Sequence, residues 1–234
     1  MNRKTLIKKL NLTQKDLEEI KLAVTEAEKS TSGEIALAVA PESESYAFWE
    51  LLAAVSVSVF LVLCLFPLNQ QIYSWLGRIF WQAEPWYLCG FYLGIASLMT
   101  IVLYFLFNIP YIDSLIIPQS AKNSAVTKRA MRYFTESGVY CTSEHSGVLI
   151  FVSYFEKQLR IIADKGLTEK ISKDLWNLLS DELSDCFAKG NVKEGFLNAV
   201  EKCSKLLTEN FPAKNENPNE LGDSLVILED EKWA

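Results

Sequence analysis

Two long apolar stretches interrupt an otherwise mixed pattern of hydrophobic and polar residues. No Asp, Glu, Lys or Arg occurs in 51–77 or in 85–112, and Trp49 and several other aromatic residues stand near the ends of these stretches. A helix needs about 20 apolar residues to cross a hydrocarbon core of roughly 30 Å, and aromatic rings favour the membrane interface. The pattern predicts a two-helix transmembrane hairpin with spans over 48–68 and 86–109. Two buried core helices of a soluble protein are the alternative.

Lysine and arginine are distributed unevenly around the two stretches. Seven of these residues precede the first stretch and four lie in 122–132, whereas the connecting loop 69–84 contains Arg78 alone. Cationic side chains resist translocation and mark the cytoplasmic side of a membrane protein. We therefore expect both termini in the cytoplasm and the loop outside.

The segment before the hairpin predicts one helix and one strand. Thr13 and Asp16 have the spacing of a capping box, and apolar residues recur at helical spacing after them. In 34–40, Ile, Leu and Val alternate with Ala, which indicates a strand with one bulky face and one small face. The small face is expected to let a helix pack closely.

The segment after the hairpin predicts a helix, a pair of strands and two further helices. The first helix is expected over 118–137, with Lys128, Arg129 and Arg132 outward, and the strands over 147–153 and 158–164. The last two helices are expected to begin after Ser172 and Asn191.

These elements imply one domain that the hairpin interrupts, because neither flank has enough strands to fold alone. We assign 1–45 and 113–212 to that domain, 46–112 to the hairpin and 213–234 to an acidic C-terminal tail. The predicted fold class is α/β, with a small mixed sheet between helices. Its first two strands are parallel, and the third is antiparallel to the second.

Composition narrows the possible partners. The chain has 234 residues and a net charge of -6, so it lacks the basic field that attracts nucleic acid. Its five cysteines match no zinc or CxxC spacing, and we expect all of them to be small buried hydrophobes. The tail is expected to dock through Leu225, Ile227 or Trp233.

The predicted topology brings acidic residues to one edge of the sheet, the edge opposite to the one from which the chain leaves for the membrane. Glu34 begins the first strand, Glu144 precedes the second, and Asp164 ends the third. Carboxylate oxygens are the ligands that Ca²⁺ and Mg²⁺ prefer. These three residues are the candidate metal ligands, although each also has a structural explanation at a strand end or turn.

Three cationic or titratable side chains are candidates for binding an anion such as phosphate. They are His145, Lys157 and Lys165. The chain has no Walker loop, no calcium loop of the DxDxDG type, no HExxH and no Ser/His/Asp set, and His145 is its only histidine. We assign no catalytic residue.

Several strings resemble the TPM domain family. They include TEAEKSTSGEIALAV at 25–39, SGVLIFVSYFEKQLRIIADKGL at 146–167 and the helix that contains Trp176. The inserted hairpin resembles a bacterial membrane branch of that family. The resemblance implies a mixed sheet between helices and a bacterial cytoplasmic membrane. Some relatives have been proposed as acid phosphatases and others as calcium-binding proteins; Lys157 and Asp164 depart from the arginine and glycine that better-known branches often have there.

Two functions are therefore expected. The first is a non-enzymatic binding or accessory module for the assembly, maintenance or turnover of other membrane proteins, and the alternative is a phosphatase that depends on Ca²⁺ or Mg²⁺. A transporter is disfavoured because no ionisable residue lies deep in either span. The lipid bilayer is the other expected partner, and the small residues Gly90 and Gly94 predict a homodimer through the second span.

Overall fold

The structure is a computed structural model that describes residues 3–80, 84–142, 144–213 and 219–229. The chain divides into two compact units. One, here called the α/β unit, comprises Met1–Glu44 and Ser120–Ala234, and the other, the hairpin unit, comprises Ser45–Gln119.

The secondary structure alternates helices with short strands. In chain order, the helices are α1 (Arg3–Lys9), α2 (Gln14–Glu28), α3 (Ala47–Leu65), α4 (Asn69–Ile79), α5 (Trp86–Phe107), α6 (Pro110–Ile116), α7 (Gln119–Glu136), α8 (Lys165–Lys170), α9 (Lys173–Ala188) and α10 (Val192–Asn210). The strands are β1 (Glu34–Ala40), β2 (Gly147–Ser153), β3 (Gln158–Ala163) and β4 (Val226–Ile227), and short 3-10 turns occupy Phe66–Leu68 and Val139–Cys141.

The four strands form one mixed sheet in the order β3-β2-β1-β4. β1 and β2 are parallel, with Glu34 opposite Gly147, and β2 and β3 are antiparallel. Both relations confirm the prediction. β4 adds a parallel strand to β1 and comes from the segment predicted as a tail, where Leu225 is buried and Ile227 partly buried. Trp233 lies outside the described residues.

The two faces of β1 are covered by different helices, as the alternation of its residues predicts. Its Ile and Leu side chains and Val39 join the main core, which includes residues of α2, α9 and α10. Ala36, Ala38 and Ala40 pack in a second cluster with residues of α7, among them Val126. Because the alanines are small, α7 can lie close to the sheet, and the sheet is sandwiched between helices.

Three expectations were wrong in detail. Arg129, expected outward on α7, is buried. The connection predicted as a loop is helical over much of its length, because α4 continues after a 3-10 turn that contains Pro67. Cys203 is buried, but Cys64, Cys89 and Cys141 are exposed and Cys186 is half-buried. The exposure of each thiol depends on the face of the helix or turn on which the cysteine lies, and not on the apolar character of cysteine.

The hairpin unit presents an apolar surface. α3 packs along α5, and at one end Asn108 donates a hydrogen bond of 2.9 Å to Glu50. Two helical segments, Ala47–Ile79 and Trp86–Phe107, are long and apolar enough to cross a membrane, and only 11% and 0% of their most apolar windows are buried. Gly90 and Gly94 have open space where a side chain would stand.

Candidate functional site

Strand pairing places the predicted acidic residues at one edge of the sheet. Glu34 starts β1 opposite Gly147, and the backbone N–H of Asp164 donates to the carbonyl of Gly147 at 2.9 Å. The segment that carries Glu144 and His145 leads directly into this position. The predicted residues therefore do lie at one edge of the sheet. Which ligand each of them could bind depends on the direction of its side chain.

His145 and Asp164 contact each other. Their Nδ1 and Oδ2 atoms are 3.3 Å apart, with the imidazole 66% exposed and the carboxylate side chain only 9% exposed. The other carboxylate oxygen, Oδ1, accepts a hydrogen bond of 2.6 Å from the N–H of Lys165, so Asp164 is the N-cap of α8. This cap replaces the simple turn that the sequence indicated. The pair combines an accessible titratable ring with a fixed carboxylate.

Gly166 sets the distance between α8 and the segment before β2. A Cβ at this position would lie 2.6 Å from the carbonyl oxygen of His145 and 3.0 Å from that of Glu144. Only glycine fits such an approach of one backbone to another. His145 itself has φ of 50°, a left-handed conformation that is uncommon outside glycine. Close packing thus holds His145 beside Asp164.

The other two predicted metal ligands are bound to different segments. Glu34 is 3% exposed and its Oε2 accepts a hydrogen bond of 3.1 Å from the N–H of Leu221. Burial raises the pKa of Glu34, and the nearby carboxylates of Glu220 and Asp223 raise it further. Glu144 accepts a hydrogen bond of 2.6 Å from the hydroxyl of Ser32. Each of these two carboxylates therefore accepts a hydrogen bond that joins distant segments of the chain.

No group of three or more His, Cys, Asp or Glu side chains in the described ranges is arranged to hold a metal ion. Asp164 faces His145, whereas Glu34 and Glu144 are bonded to Leu221 and Ser32. The donor set for Ca²⁺ or Mg²⁺ thus remains a prediction. The geometry provides one contact pair at this edge, not a cluster of oxygen ligands.

The two candidate lysines lie at opposite ends of the strands. Lys165 opens α8 at the acidic edge, and its Nζ is 3.7 Å from Glu169 in an exposed ion pair. Lys157 lies in the turn between β2 and β3, at the other edge, with φ of 52°. It therefore does not join His145 and Asp164.

A buried carboxylate that the sequence analysis missed ties α2 to the sheet. Glu28 is 7% exposed, and its Oε1 accepts a hydrogen bond of 2.9 Å from the N–H of Ile35. Burial raises its pKa to about 8, and the neighbouring Glu34 and Asp223 contribute to the rise. A signal existed in the sequence, because Glu28 continues at i+4 the buried stripe of Ile20 and Val24.

Asp223 and Glu34 hold the C-terminal segment in place through hydrogen bonds. Although burial acts in the opposite direction, hydrogen bonds from Thr25 and Asn219 lower the pKa of Asp223. The Asn219 bond measures 2.5 Å, and the backbone of Leu221 binds Glu34. Residues around β4 are thus fastened to both α2 and β1.

The mixed sheet with helices on both faces defines an α/β protein. Residues 111–206 match the sequence model of the TPM domain, which confirms the resemblance over that part of the chain. The match extends from α6 into α10. The helix α2 and the strand β1 lie before it, on the other side of the hairpin.

One solved structure has a similar fold. It is the NMR structure of BA42 protein from the psychrophilic bacterium Bizionia argentinensis, with a TM-score of 0.53 and 21% sequence identity. The similarity covers 93% of this chain and 95% of that one. No curated protein sequence matches the chain.

Proposed function

We propose that the chain is a membrane-anchored TPM domain that serves as a non-enzymatic binding or accessory module for the assembly, maintenance or turnover of membrane proteins. The observation that carries the anchor is the apolar exterior of α3 and α5, where residues such as Phe60, Leu93 and Phe105 are more than 60% exposed. Monomeric soluble proteins rarely expose contiguous apolar patches larger than a few hundred Å². Lipid tails would cover this surface at no cost.

The proposed location is a bacterial cytoplasmic membrane with both termini and the α/β unit in the cytoplasm. Seven cationic residues before the hairpin and four in 122–132 favour this orientation. Residues 69–84 then face the outside, where α4 supplies a short amphipathic helix with polar residues such as Gln70 and Gln71.

A binding role is supported over catalysis by the bonds that the candidate carboxylates already make. Asp164 caps α8, while Glu34 and Glu144 hold backbone or hydroxyl donors. The α/β unit also offers exposed apolar side chains on α9, where Leu175 is 42% and Leu178 67% exposed. Such residues are suited to contact with another protein.

Orientation can be tested by labelling cysteines in intact cells with a membrane-impermeant reagent. We expect a cysteine introduced at Gln71 to be labelled from outside. Cys141, which is exposed in the α/β unit, should react only after the membrane is permeabilised. Cys141 thereby serves as its own positive control. Labelling of Cys141 in intact cells, with Gln71 protected, would reverse the topology.

The binding role predicts site-specific contact with an integral membrane protein. A photoreactive amino acid at Leu178 should give a discrete adduct in native membranes, because this side chain is apolar and exposed. The same probe at Asn177, an exposed polar position on the same helix, is the matched control and should give little. Equal adducts at both positions contradict the proposal. So does Mg²⁺-dependent hydrolysis of phosphate esters that Asp164→Asn abolishes, since it would favour the phosphatase.

A further inference from the structure

A cavity of about 250 Å³ opens at the edge of the sheet opposite Asp164. Three lysines line it, Lys9, Lys157 and Lys189, and we call it the lysine pocket. Tyr154 and Val192 also line it. Within the described residues no Asp or Glu contributes to its wall, so its charge is positive.

Within the described part of the chain, the three pocket lysines form no ion pair with a carboxylate. The ion pairs there involve other lysines, such as Lys202 with Glu182 and Lys205 with Glu201. Lys9 has one weak contact, with its Nζ 5.9 Å from the centroid of the Tyr154 ring. Three positive charges around one cavity repel each other, and a bound anion would offset that repulsion.

Helix ends explain two of these lysines but not the third. Lys9 ends α1 and Lys189 is the C-cap of α9, where cations interact favourably with the helix dipole. Lys157 is in no helix. It occupies a left-handed position, with φ of 52°, where glycine would be less strained. The backbone strain at Lys157 is therefore a cost of having a lysine, and not a glycine, at this position.

The start of α10 adds partial positive charge to the same wall. Val192 is the first residue of this helix of 19 residues, and the N-cap Asn191 makes no capping hydrogen bond through its side chain. The first N–H groups of a helix carry partial positive charge and bind anions. They reinforce the three ammonium groups.

The pocket lies at the edge from which the chain leaves the α/β unit for the hairpin. Ser153 is part of its wall, and the hydroxyl of Ser43 donates to that of Ser153 at 2.8 Å. Only Ser45 and Tyr46 separate Glu44, the last residue of this segment, from α3. A span that begins at Ala47 would therefore tether this edge close to a lipid surface.

We propose that the lysine pocket binds a phosphate group, and that in the membrane this group belongs to an anionic lipid headgroup. Lysine ammonium groups bind phosphate as point charges, and each contributes roughly five-fold to the affinity for an anionic surface. The phosphate chemistry follows from the pocket alone. Its lipid source rests on the proposed membrane anchor.

The test uses the full-length protein in phosphatidylcholine nanodiscs with or without phosphatidylglycerol, and in detergent with or without inorganic phosphate. The rate of amine-reactive labelling at each lysine is read by mass spectrometry. With phosphatidylglycerol we expect Lys9, Lys157 and Lys189 to react about five-fold more slowly, with Lys29 unchanged. Slowing by inorganic phosphate alone would overturn the lipid source and retain the phosphate site. No slowing in either arm overturns the pocket.

Two double variants distinguish a built pocket from a general effect of charge. Lys157→Gln with Lys189→Gln should abolish the protection of Lys9, whereas Lys202→Gln with Lys205→Gln removes the same charge elsewhere and should leave it intact. Equal loss in both overturns the proposal. Because the detergent arm needs no bilayer, a chain that fails to enter nanodiscs would refute the anchor and still leave the pocket tested.

Discussion

Replacing Gly147 with alanine is expected to lower the free energy of unfolding by about 3 kcal/mol, because the added methyl group would meet backbone. A Cβ at this position would lie 2.1 Å from the carbonyl oxygen of Val139 and 2.9 Å from its Cγ1. The carbonyl of Val139 belongs to a 3-10 turn and cannot rotate away alone. Relief requires the start of β2 to move, and with it the hydrogen bond that the N–H of Asp164 donates to the carbonyl of Gly147.

Thermal unfolding of the full-length protein in detergent, followed by circular dichroism, measures this effect. Gly222→Ala is the matched control, since nothing lies within 4 Å of a Cβ at Gly222. We expect the control to unfold close to the wild type. If Gly147→Ala unfolds at the same temperature as Gly222→Ala, the close packing at the start of β2 is wrong.

Replacing Glu28 with glutamine is expected to stabilise the protein at pH 8 and to flatten its dependence on pH. The folded-state pKa of Glu28 is raised to about 8 from the usual 4.5, so the folded state binds a proton that the unfolded state releases. Stability from this group is complete below pH 4.5 and is lost as the pH rises through 8. Allowing for solvent screening, the loss is on the order of 2 kcal/mol.

The measurement is a series of unfolding curves between pH 4 and 9. Glutamine keeps an oxygen that can accept from the N–H of Ile35 and cannot titrate. Glu18→Gln, at an exposed position on the same helix, is the control for the loss of one charge. A wild-type stability that does not fall between pH 4.5 and 8 contradicts the raised pKa, as does an equal gain in both variants.

Local patterns were sufficient for the elements that have long, regular signals. The alternation in 34–40 predicts β1 and a small face on which a helix can pack closely, and that helix is α7. Thr13 and Asp16 form the reciprocal capping box that their spacing indicates. Helices α9 and α10 begin after the caps or turns assigned to them. In each case the residues that specify the structure are neighbours in the chain.

Short elements and long-range partners could not be predicted in the same way. The six residues of α8 and the two of β4 carry too little periodicity to be distinguished from turns. Which donor satisfies a carboxylate depends on segments far apart in sequence. Leu221 binds Glu34 across 187 positions, and Ser32 binds Glu144 across 112. The edge of the site was predictable, but the direction of its side chains was not.

The hairpin both leaves and re-enters the α/β unit at one edge of the sheet. Ser43 bonds to Glu156 beside the β2–β3 turn, and Gln158 at the start of β3 bonds to Asn123 in the first turns of α7. For an insertion at such a site the entropic cost of closing the loop grows only slowly with length, by about 0.6 kcal/mol for each doubling. Lengthening, shortening or exchanging this segment is therefore expected to leave the core of the α/β unit unchanged, so that one folded unit can be combined with different inserted segments.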